Sequence, residues 1–120
     1  MNTDNLTETI IGCAMRVSNT LGAGFLEKVY ENALVIELKK AGLAVEQQKN
    51  IAVRYEGIVV GEYTVDILVN DQVVLELKAV KLLDEVHKAQ LLNYLRATGM
   101  KVGLLLNFGT PRLGVRRMVF

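Results

Sequence analysis

A chain of 120 residues, 51% of them hydrophobic, can bury a core as one domain without disulfides or a structural metal. With 14 Lys and Arg against 13 Asp and Glu it has no globally basic surface, so a polyanion would have to be held by a local patch. One proline, no low-complexity stretch and no recurring unit exclude disorder, an internal linker and a solenoid.

The opening "MNTDNLTETI" is polar and acidic, and no apolar run approaches the roughly 20 residues of a membrane span. The chain therefore reads as cytoplasmic, with no membrane partner. Over residues 4–21, Leu6, Ile10, Ile11, Cys13, Ala14, Val17 and Leu21 recur at helical spacing, with Asp4 or Thr7 as the cap. Cys13 is the only cysteine, so it builds no disulfide or zinc site and is expected to pack as a small apolar side chain. After the interruption "LGAG", the stretch "FLEKVYENALVIELKKAG" predicts a second helix, closed by Gly42 behind Lys39 and Lys40.

Beyond Gly42 the chain turns to β-branched residues. "LAVEQQKNIAVRYEG", "IVVGEYTVDILV" and "QVVLELKAV" read as three strands, separated at Glu56-Gly57 and Asn70-Asp71 and joined as an antiparallel meander. "DEVHKAQLLNYLRATG" is helical, with Asp84 as N-cap and Gly99 as stop, and "KVGLLLNF" and "GVRRMVF" read as two further strands. A helix between the third and fourth strands is long enough to be a crossover. The expected fold is α/β: a central mixed sheet with helices packed on its faces.

That fold makes Asp66, Glu76 and Lys78 conspicuous, because they stand inside the apolar runs of "VDILVNDQVVLELKAV" and are costly to bury without partners. Glu76 and Lys78, two apart on a strand, share a face. A turn of only Asn70 and Asp71 would face Asp66 away from Glu76; a turn ending at Gln72, or a bulge, would set the two carboxylates opposite each other. In the second register they would repel unless a cation lay between them, and their hard oxygens suit Mg²⁺ or Mn²⁺. Lys78 could then orient a water as it becomes hydroxide, the chemistry of phosphodiester hydrolysis. The plainer reading pairs Lys78 with Glu76 or Asp66 as an ordinary ion pair.

On the following helix Gln90 and Tyr94 share a face at i, i+4, with His87 one turn earlier. Gln90 can accept from a water or donate to a phosphate, and Tyr94 offers a hydroxyl and a ring. On the earlier helix Glu27 and Tyr30 stand at i, i+3, and Glu27 could be a third carboxylate facing the ion or a solvated first-turn residue. The turn Gly22-Ala23-Gly24 follows no strand and precedes no Gly-Lys-Ser/Thr, so it does not make a phosphate loop.

These motifs carry a resemblance. "GFLEKVY" is similar to the G-x-x-E-x-x-Y signature of the GxxExxY proteins, Asp66 with Glu76-Leu77-Lys78 resembles the D…E-x-K core of the PD-(D/E)xK nuclease superfamily, and "QLLNY" resembles its Q-x-x-x-Y motif. The resemblance covers nearly the whole chain. It implies a restriction-endonuclease-like αβββαβ core and a small Mg²⁺- or Mn²⁺-dependent nuclease acting on nucleic acid, DNA foremost. Carried over, Asp66 and Glu76 would be metal ligands, Lys78 the catalytic lysine, Glu27 a further ligand or water-positioning group, Gln90 a member of the catalytic set, and Tyr94, Tyr30 and His87 supporting residues. Val65 stands where the superfamily name has proline. Ser18 and Thr64 stand where relatives often carry histidine and arginine.

The alternative is a non-catalytic nucleic-acid- or protein-binding module on a nuclease-like fold. Local basic positions exist, among them Lys49, Lys81, Lys88, Arg112, Arg116 and Arg117. The apolar C-terminal "MVF" and a sheet edge suit a homodimer.

Overall fold

The computed structural model describes residues 2–120. The first helix, α1 (Thr3–Leu21), is capped by Asn2, whose side chain accepts from the Asn5 N–H at 2.8 Å. That corrects the expected cap: the Thr7 hydroxyl instead donates to the Asp4 carbonyl inside the first turn, and asparagine is among the strongest N-caps. The second helix, α2 (Glu27–Lys40), starts two residues after Phe25, which stays in the connecting loop with Leu26.

The meander follows as β1 (Val45–Tyr55), β2 (Ile58–Val69) and β3 (Val73–Lys78). Glu56 and Gly57 both take positive φ, 51° and 78°, the left-handed pair whose twist suits a two-residue hairpin. The next turn is longer. Val69 pairs with Val73, and the Gln72 N–H donates to the Val69 carbonyl at 2.9 Å, so Asn70, Asp71 and Gln72 all belong to the loop.

Helix α3 (Glu85–Thr98) crosses from β3 to β4 (Val102–Asn107), and β5 (Gly114–Val119) closes the sheet. Strand order is β1-β2-β3-β4-β5, with β3 and β4 parallel and every other pair antiparallel. Helices α1 and α2 cover one face through Leu6, Ile10, Leu34 and Leu38 against Ile67, Leu75 and Leu104. Helix α3 covers the other, setting Leu91 and Leu95 on Leu68, Val74 and Leu105. This is the expected α/β architecture, three helices on a five-stranded mixed sheet.

Burial of both faces explains the apolar runs of β3 and β4, where only Lys78 is not fully buried. Cys13 is buried as expected, and burial pushes its thiol up. Among the described residues no helix is long and apolar enough to cross a membrane.

Candidate functional site

The three-residue turn selects between the two registers. With Ile67 opposite Leu75, the next pair along the strands is Asp66 and Glu76. Regular pairing stops there: the ladder ends at Ile67 and Leu75, and each carboxylate takes over the other strand's backbone. Asp66 Oδ2 accepts from the Leu77 N–H at 2.8 Å, and Glu76 Oε1 accepts from the Asp66 N–H at 3.1 Å. Val65, beyond this point, packs on the α3 side with Leu68, so β2 turns over as it leaves β3. Two strands thus part around a pair of crossed carboxylates.

Electrostatics at this point are unfavourable to negative charge. Glu76 is 5% exposed, and desolvation, then the nearby Asp66 carboxylate, raise its pKa to about 8. Burial likewise raises Asp66 and, at the start of α2, Glu27. Lys78 opposes the rise at all three, yet its ammonium forms no salt bridge or hydrogen bond among the described residues. The plain ion-pair reading of Lys78 is therefore not what the geometry shows: its ammonium stands near several carboxylates without being committed to any.

The sequence model of the PD-(D/E)XK nuclease superfamily matches residues 4–118. The chain belongs to the PD-(D/E)XK nuclease superfamily. No curated protein and no solved structure matches it.

In this superfamily fold, Asp66, Glu76 and Lys78 are the residues that the D…E-x-K pattern picks out, and the structure gathers them where β2 and β3 diverge. Among the described residues no three His, Cys, Asp or Glu side chains are close enough together to hold a metal ion. A zinc site, which needs three or four nitrogen or sulfur ligands, does not fit. A magnesium-like ion does, because it is commonly held by one or two carboxylates and keeps several waters. Asp66 and Glu76 supply such a pair, and among the described residues no donor engages Glu76 Oε2. Glu27 lies at the rim of this group rather than within it: Asp66, Lys78 and His87 all act on its carboxyl.

The motif around Glu27 acts through the backbone. Tyr30 is fully buried, stacked on Phe108 with ring centroids 4.8 Å apart, and its hydroxyl donates to the Gly22 carbonyl at 2.6 Å while accepting from the Phe25 N–H. Gly24 takes φ 117°, a conformation that L side chains rarely adopt. Glycine bends the loop, tyrosine pins it, and Glu27 is presented as the first residue of α2. Tyr30 thus points into the core, away from the face on which Glu27 sits.

On α3, Gln90 Nε2 donates to Tyr94 Oη at 2.8 Å, which leaves the Gln90 carbonyl oxygen free to accept. Burial, and then the Glu76 charge, raise the Tyr94 phenol, and the ring belongs to the packed cluster that holds Val65, the residue before Asp66. His87 closes a capping box with Asp84, accepting through Nδ1 from the Asp84 N–H at 3.3 Å.

Three supporting residues were not singled out in the sequence. Buried Glu31 accepts from Lys28, Gln47 and Gln48, and Gln48 Nε2 also reaches Asp66 Oδ1 at 3.5 Å. Gln48 holds this position with φ 54°, opposite the point where β2 turns over. The available signal was Glu31, one turn after Glu27 on the same helix face. The third is Asn107, on β4 beside Lys78.

Asn107 is 3% exposed; its amide donates to the Val80 carbonyl and its oxygen accepts from the Val80 and Gly109 N–H groups. It locks the chain leaving Lys78, and a Cβ on Gly109 would collide with the Val80 backbone. Asn107→Ala removes partners from three part-buried backbone groups and should cost about 2–3 kcal/mol in urea unfolding. An unchanged midpoint would show that water or a backbone shift replaces the clamp.

Proposed function

We propose that this chain is a GxxExxY-type, divalent-metal-dependent nuclease that hydrolyses DNA phosphodiester bonds. One observation carries the reading: Asp66 and Glu76 cross between parting strands with both pKa values raised, beside an uncommitted Lys78. Three carboxyl groups that resist losing their protons and one cation too distant to pair form a site short of positive charge. Asp66 and Glu76 would hold the ion, which when bound supplies that charge and polarises a phosphoryl oxygen.

The remaining chemistry belongs to the chain itself. Lys78 Nζ donates a hydrogen bond to the attacking water oxygen, offsetting the negative charge that grows there. The Gln90 carbonyl oxygen accepts from the same water and fixes its orientation. Glu27, at the rim, would take the water's proton as the new P–O bond forms; the P–O bond to the leaving sugar oxygen breaks, and that oxygen takes a proton from solvent water. Burial raises the Glu27 carboxyl, which makes it a better base than an ordinary glutamate.

The test is cleavage of labelled DNA with Mg²⁺ or Mn²⁺ by the parent and by Asp66→Asn, purified identically. Asparagine keeps an oxygen for the Leu77 N–H and so preserves the strand junction, while removing the charge. Cutting by the parent alone is expected. Equal cutting by both would remove Asp66 from the site, and cutting by neither would favour the non-catalytic binding module.

A further inference from the structure

Between the β1–β2 hairpin and the outer side of α3 runs a cavity of about 850 Å³. Arg54 and Tyr63 line it from the hairpin, and Gln90, Asn93, Tyr94 and Arg96 from the helix. Among the described residues no carboxylate lines it. Among the described residues neither arginine enters a salt bridge: Arg54 donates to the Gly57 carbonyl at 3.4 Å, and Arg96 donates to Asn93 and lies over the Phe120 ring. Tyr63 is 53% exposed, its ring centroid 5.9 Å from that of Tyr94. Tyr94 and Gln90 lead from the groove towards the site, since both border the cavity and Tyr94 belongs to the packed cluster that holds Val65, the residue before Asp66.

We infer that this groove seats a short stretch of single-stranded DNA and feeds it to the Asp66–Glu76 pair, an inference that deepens the nuclease reading and rests on it. An open aromatic face binds an unpaired base whatever its identity, because every base has a π-face, and stacked base pairs hide theirs. Guanidinium groups without an ion-pair partner among the described residues match the phosphates that must run past those bases. A cavity of this volume is the size that encloses a small ligand, a short stretch of one strand rather than a duplex. Arg54, Tyr63 and Arg96 would then set strand preference without touching the reacting phosphate.

The experiment is fluorescence anisotropy of the full chain with a labelled oligothymidine and with a labelled blunt duplex, in EDTA, so that affinity is read without cutting. The single strand should bind at least roughly tenfold tighter. Tyr63→Ala should weaken it by roughly tenfold or more, from the loss of one stacked base, while Tyr63→Phe keeps parental affinity. Arg54→Gln should flatten the salt dependence by about 0.7 in log–log slope, one phosphate contact on a single strand. Tyr63 is half exposed, so its replacement leaves the core intact. No binding, a duplex bound equally well or better, or an unaffected Tyr63→Ala would each overturn the inference. Duplex cleavage with no affinity for single strands would remove the groove and leave the nuclease reading standing; single-strand affinity without cleavage would do the reverse.

Discussion

Glu76→Gln is expected to abolish metal-dependent cleavage and, in the same protein, to raise the thermal midpoint of the metal-free chain at pH 8. Burial and the Asp66 carboxylate lift Glu76 from an ordinary 4.5 to about 8, so between those values the folded chain keeps a proton that the unfolded chain has released. Stability therefore falls as pH rises from about 4.5 and levels off above about 8. At about 1.4 kcal/mol per unit the loss is of the order of several kcal/mol, a large share of a small domain's stability. Glutamine keeps an oxygen for the Asp66 N–H and never ionises.

The variant's midpoint should thus exceed the parent's by roughly 5 °C or more at pH 8, and the two should converge near pH 4.5. Mg²⁺ should raise the parent's midpoint at pH 8 and leave that of the variant unmoved, because an ion that binds only the folded state stabilises it by mass action. A site built for a cation would show itself as a stability cost in the cation's absence. Thermal scans across pH, with and without Mg²⁺, check this. A variant less stable than the parent at pH 8 would mean that Glu76 is held by contacts rather than tolerated.

The sheet and its helices were legible because periodicity and turn residues agree over most of the chain. Gly42, Asp84 and Gly99 mark real helix ends, and Glu56-Gly57 marks a real hairpin. The decisive ambiguity was one residue of loop. Asn70-Asp71 reads locally as a two-residue turn, and both residues do adopt left-handed φ, but Gln72 joins them because Val69 and Val73 must both reach the α1–α2 core. Only packing on the far face of the sheet fixes that choice, and it sets Asp66 opposite Glu76.

The supporting shell was hidden for a related reason. The contacts that tie Glu31, Gln48 and Asn107 to other elements link residues 16 or more apart in the chain, such as Gln48 with Glu31 and Asn107 with Val80. No spacing rule reaches that far. The groove beside α3 was invisible too, since it joins a hairpin to a helix with β3 between them in sequence.

Lys78→Ala should lower the cleavage rate by roughly 10²–10³ or more, the scale on which one well-placed donor to developing charge acts. The fold should survive. Lys78 is incompletely buried at the end of β3, and what anchors its backbone is the Phe108 N–H donating to its carbonyl at 2.8 Å, which the side chain does not affect. Metal affinity separates the lysine's role from that of the carboxylates. Lys78 lowers the pKa of Glu27, Asp66 and Glu76, so removing it moves all three upward. Below about pH 8 the variant should bind Mn²⁺ more weakly, because the ion must displace a more firmly held proton. Well above it, with the carboxylates ionised in both proteins, the variant should bind Mn²⁺ at least as tightly as the parent, since a repelling cation is gone. Asp66→Asn should bind it more weakly at every pH. Calorimetric Mn²⁺ titrations at two pH values, beside single-turnover cleavage, read both quantities. A variant that cuts at the parental rate shows that Lys78 does not act on the reaction, and one that loses Mn²⁺ affinity at high pH shows that it organises the carboxylates instead.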